Sequence, residues 1–184
     1  MERQDTKGKI IKETFPSEIV SIFGDILAGI ILIFLILPFK SFLLLILIIP
    51  ALLSLRGNLS GPFIARTAKD LIIGEFNKRT WIENIFSTYT LSVVTALLIG
   101  VASIFLNLFL IKTEILTVEI LILIPITSIL LALSMSMPIS TFLNRFAFKH
   151  GYNPNNVVHP IMTAVDDFFT VICFYFTLIL LGVP

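Results

Sequence analysis

Five predominantly apolar stretches, at residues 19–37, 41–69, 85–111, 116–143 and 157–183, take up most of this 184-residue chain. Each is long enough to cross a hydrocarbon layer ~30 Å thick as a helix, which takes about 20 residues at 1.5 Å per residue. The layer holds no water to satisfy backbone N–H and C=O groups, so a spanning segment must be a helix or a strand of a closed barrel. Barrel strands need only about 9–11 residues. The expected fold class is an all-α polytopic membrane protein with five transmembrane helices per chain.

Composition agrees. Hydrophobic residues make up 57% and charged residues 14% of the chain, against the ~25% charged that soluble domains carry. A net charge of +1 gives no sign of nucleic-acid binding. The single Cys173 lies in an apolar stretch, which excludes a disulfide framework and a thiolate metal site. Residues 1–18 are polar and mixed in charge, and no small-residue cleavage site follows. They read as a short cytoplasmic arm rather than a cleaved leader.

Lys and Arg set the orientation. With the N-terminus inside, the cytoplasmic segments hold Arg3, Lys7, Lys9, Lys12, Arg56, Arg66, Lys69, Lys78, Arg79, Arg145 and Lys149, and the outer segments hold only Lys40 and Lys112. That is a strong positive-inside bias. It puts the C-terminus outside and the chain in the cell membrane.

The second stretch departs from lipid-facing composition. Ser54, Asn58, Gly61 and Ala65 recur at i, i+4, i+7 and i+11 and share one helix face. Gly57 and Gly61 form a GxxxG pair, which lets another backbone come close. The purely apolar part of this stretch is short because Arg56 arrives early. Arg56 and Arg66 read as cytoplasmic-side charges or partners of lipid phosphates, and Trp81 reads as an interfacial anchor.

The fifth stretch carries the chemistry. Asn156, Thr163, Asp167 and Thr170 recur at i, i+7, i+11 and i+14, so one face presents oxygen atoms along its length. His159 and Asp166 flank it. Asp167 lies ten residues past Val157, roughly 15 Å into the layer at 1.5 Å per residue. A carboxylate at that depth costs several kcal/mol unless it faces protein, water or a cation. Oxygen donors suit hard cations. Mg2+ sheds water reluctantly and needs few carboxylates and many acceptors for its hydration shell. The helix therefore reads as lining a cation path, with Mg2+ favoured and Mn2+, Co2+ and Ca2+ left open. Of the two acids, one is expected to face the path and the other to pack against a neighbour.

Two motifs resemble a known family. Pro50-Ala-Leu-Leu followed by Arg56-Gly-Asn58, and Asn153-Pro-Asn-Asn-Val-x-x-Pro160-x-x-Thr163-x-x-x-Asp167, are similar to the two signatures of the MgtE family of Mg2+ channels and the related solute-carrier Mg2+ transporters. The resemblance implies a homodimer in a lipid bilayer, with a pore on its two-fold axis lined by the second and fifth helices. It implies Asp167 as the central site for a hydrated cation, Asn156 and Thr163 below it, and Ser54, Gly57, Asn58, Gly61, Pro160 and Thr170 along the pore. Asp166 stands where members usually have Gly or Ser, which implies extra negative charge in the metal site. Asn153 stands where an Asp often opens the signature, which implies a weaker mouth site. The resemblance carries no expectation of gating by the cytoplasmic sensor domains of the best-known bacterial members.

Two other classes compete. An intramembrane aspartyl protease needs two acids on different helices, and Asp25 and Asp167 are the pair to nominate. Asp25 is close to the cytoplasmic interface, however, and Val165-Asp-Asp lacks the Gly-x-Gly-Asp context of that class. A membrane scaffold with structural aspartates needs no stripe of oxygens.

Overall fold

A computed structural model describes residues 6–36, 43–112 and 116–183. Five long helices follow one another: α1 (Lys7–Phe34), α2 (Leu43–Ile73), α3 (Lys78–Leu106), α4 (Val118–Lys149) and α5 (Pro154–Leu180). All five are long and apolar enough to cross a membrane. The all-α, five-span expectation is borne out. Pro38, Lys40 and Ser41, and the turn at 113–114, lie outside the described residues.

The starts of α1, α3, α4 and α5 are set by polar caps rather than by the edges of the apolar stretches. Thr6 caps α1, its hydroxyl accepting from Lys9 N at 3.4 Å. Residues 7–18 are thus the first turns of the first spanning helix, continuous through Pro16. Asn77 and Thr80 form a reciprocal capping box at the start of α3, satisfying donors the first turn leaves open. A π-helical turn, Asn107–Ile111, ends α3, closed by Lys112 in the left-handed conformation. Asn153 caps α5 and Pro154 occupies its first turn, where a missing N–H costs nothing.

The helix α5 packs against α1, α2 and α4, while α3 lies on α2 and α4. Among the described residues α1 touches α5 alone. Leu45, Ile48, Leu52, Ile124, Val171, Phe174 and Leu178 fill one end of the bundle. Leu55, Leu59, Phe63, Ile129, Leu133 and Met137 fill the α2–α3–α4 layer. Ile64, Ala147, Val158 and Met162 close the other end. Trp81 packs against the second cluster and its Nε1–H donates to Thr141 Oγ1 on α4 at 2.9 Å. It ties two helices together, where its sequence context suggested only an interfacial anchor.

Lipid supplies no hydrophobic drive between helices, so close approach is made by small residues. Two glycines do this here. A Cβ on Gly24 would lie 2.6 Å from Ala164 Cβ, and one on Gly100 would lie 2.9 Å from Ile122 Cα. Gly57 has open space around it, and a Cβ on Gly61 would meet only the His159 ring, 3.3 Å away at Nε2. Within one chain, the GxxxG pair is not a helix-packing seam.

Candidate functional site

The site is built where α2 and α5 run side by side. Arg56 Nη2 donates to Asp166 Oδ1 at 2.7 Å, and Gly61 faces the ring of His159. Numbers rise along α2 as they fall along α5 across these two contacts, so the helices are antiparallel. In the register the contacts set, Asn58 stands at the level of Thr163, and Ser54 at the level of Asp167.

The side of α2 turned into the bundle is mostly apolar: Leu45, Ile48, Leu52, Leu59 and Phe63 are all buried, with Arg56, Ser60 and Thr67 as the buried polar exceptions. The side turned out is small and polar. Ser54, Gly57, Asn58 and Ala65 are exposed and Gly61 is half-buried. On α5, His159 and Thr163 are exposed, and Pro160 and Asp167 are half-buried. Thr163 Oγ1 donates to His159 O one turn back at 3.0 Å, which leaves its lone pairs directed outward as acceptors. An outer surface of this kind inverts what a helix next to lipid requires, because exposed polar groups in hydrocarbon cost several kcal/mol each.

The two adjacent acids part company. Asp167 is half-buried on the outward side, whereas Asp166 is 1% exposed and paired with Arg56, itself 0% exposed. Successive helical residues are about 100° apart, so the two carboxyls cannot share a face. The extra charge implied by Asp166 is therefore offset inside the protomer. Thr170 follows Asp166 by one turn. It is fully buried, and its hydroxyl donates to Asp166 O at 2.6 Å. This places Thr170 on the inward side, apart from Thr163 and Asp167.

At the start of α5, Asn156 is half-buried and its Nδ2 donates to Glu13 Oε2 at 2.9 Å. The Asn153 backbone N–H donates to the same oxygen at 3.3 Å. Glu13 thus ties α1 to the mouth of the polar face. Asp25 is exposed on α1.

Arg56 and Glu13 are the two residues here that sequence reading missed. In the sequence Arg56 reads as a membrane-surface charge, yet it is the largest fully buried side chain among the described residues. Its signal was available: a guanidinium roughly 20 Å along α2 from Leu43, at 1.5 Å per residue, with two adjacent acids within another apolar stretch. Glu13 left no comparable signal among the mixed charges of residues 1–18. Among the described residues no three His, Cys, Asp or Glu side chains come together to hold a metal. One chain offers an open, oxygen-lined surface rather than a closed cage.

Five helices long and apolar enough to span, with an outward strip of hydroxyls, an amide and a carboxylate, define a multi-pass membrane protein. The sequence model of the MgtE family, described as divalent cation transporter, matches residues 49–177, and the chain belongs to that family. It is a divalent cation transporter and not an enzyme, which removes the aspartyl protease reading. No curated protein and no solved structure matches the chain.

Proposed function

We propose that two copies of this chain form a homodimer in the cell membrane, with Mg2+ as the principal cargo passing between them. The observation that carries the reading is the outward polar strip of α2 and α5, on a bundle whose exposed surface is elsewhere rich in Ile, Leu and Phe. Facing its own copy across a two-fold axis, the strip becomes the wall of a water-filled path and no longer meets lipid. The arrangement is self-complementary, as such an axis requires. Asp167 from each protomer meets the cation at the midplane, a pair of acids of the sort that selects cations. Thr163, Asn58, Ser54 and Pro160 line the approach, and Asn156 marks the cytoplasmic mouth. Gly57, Gly61 and Ala65 keep the path wide enough for an ion that retains its water. The N-terminus is inside, on the Lys and Arg distribution.

Reconstituted liposomes with an internal Mg2+ dye test the reading. Wild type admits Mg2+, and Asp167→Asn, still dimeric by size-exclusion chromatography, admits it roughly tenfold more slowly or worse. Absence of flux in wild type, or undiminished flux in Asp167→Asn, sinks it.

A further inference from the structure

Among the described residues the core of the bundle holds one fully buried ion pair, Arg56 with Asp166, and the transport reading gives it no task. Both side chains are buried, at 0% and 2%. They meet through one contact only. Among the described residues Arg56 Nε and Nη1 and Asp166 Oδ2 find no hydrogen-bond partner. A buried pair is weak evidence for stability, because desolvating two charges offsets much of their attraction and an apolar pair often serves as well. With three polar atoms unsatisfied the offset is larger still. As mere glue between α2 and α5, the pair is poorly made.

Its position suggests another role. Asp166 precedes Asp167, so their Cα atoms are 3.8 Å apart, and the guanidinium is one hydrogen bond beyond Asp166. Arg56 also precedes Gly57 and Asn58, which belong to the outward strip. A permanent positive charge therefore stands on the order of 10 Å behind the midplane carboxylate, with a negative charge between them. The guanidinium is a delocalised cation, and Asp166 Oδ1 is the acceptor it meets directly.

We propose that the Arg56–Asp166 pair sets the cation affinity of the path. Asp166 masks the Arg56 charge from the ion that Asp167 meets. Asp166 is a positioning residue on this account, acting through Arg56 and its neighbour rather than by touching the ion. The proposal rests on the transport function proposed above.

The test is Mg2+ flux in liposomes against external Mg2+, normalised to folded dimer. Asp166→Asn leaves the guanidinium unmasked, and half-saturation moves to roughly fivefold higher Mg2+ or more. Arg56→Gln/Asp166→Asn carries neither charge and returns within about twofold of wild type, as does Arg56→Lys, which keeps the charge. A purely structural pair would lower yield and unfolding temperature without moving half-saturation. An unchanged half-saturation in Asp166→Asn, or a double variant as impaired as the single one, overturns the proposal while leaving transport intact. If Asp166→Asn does not fold, the double variant and Arg56→Lys decide alone: a fivefold shift in either overturns the proposal. A wild type that carries no Mg2+ removes the transport reading itself, and this proposal falls with it.

Discussion

Gly24→Ala isolates the closeness of α1 and α5. The new Cβ would lie 2.6 Å from Ala164 Cβ, whereas carbon atoms rest at about 3.5–4.0 Å. The helices must part by about 1 Å at this crossing, and overpacking of this kind costs roughly 1–3 kcal/mol. Ala is also the better helix former, by roughly 0.5–1 kcal/mol over Gly. Gly29→Ala measures that second effect alone, because nothing lies within 4 Å of its added Cβ. Gly29→Ala should therefore be neutral or slightly stabilising, and Gly24→Ala less stable than it by about 1–3 kcal/mol. At this chain length the gap is roughly 2–12 °C in unfolding temperature. The geometry also specifies a rescue. With Ala164→Gly in place, the nearest atoms to the new Cβ are Ala164 C and Cα at 3.6 Å, ordinary contact. The swap Gly24→Ala/Ala164→Gly should regain most of the loss in a thermal scan in detergent. The reasoning is refuted if Gly24→Ala matches Gly29→Ala, or if the swap is no better than the single change.

Gly100→Ala meets backbone instead, Ile122 Cα at 2.9 Å and Leu121 O at 3.2 Å. No side-chain change on α4 should rescue it, and its loss should be about 1–3 kcal/mol in the same scan. Glu13→Ala removes the acceptor that Asn156 Nδ2 and Asn153 N share, at a cost of roughly 1.5–3 kcal/mol for bonds to a charged group. Amide exchange in the first turns of α1 should rise several-fold, with little change in the middle of α2.

The number and order of the helices were legible because hydrocarbon imposes one pattern on every span. The helix starts were less so: α1 begins at Lys7, twelve residues before its apolar stretch, because Thr6 caps it and Glu13 holds it against α5. Hydropathy reports contact with lipid and is blind to such docking. Arg56 shows the same limit. Its charge looked like the end of a span, and its partner lies 110 residues further on. Likewise the sequence drew attention to Gly57 and Gly61, while the glycines in close contact between helices are Gly24 and Gly100. A glycine's use depends on the neighbour it meets, and no single stretch of sequence contains that neighbour. The polar face of α5 was visible as a period, but one stripe could not distinguish Thr163 and Asp167, turned outward, from Thr170, turned in toward Asp166.

The claim that ions pass along the outward face of α2 and α5 is tested most directly by blocking that face. In a Cys173→Ser background, which removes the single native thiol, Asn58→Cys would be treated with a charged thiol reagent while Mg2+ entry is followed. Leu98→Cys, exposed on α3, serves as the lipid-facing control. The account predicts that modification at position 58 stops entry, that saturating Mg2+ slows the modification, and that position 98 is indifferent. Full entry after complete modification at position 58, or an equal block at position 98, would contradict it.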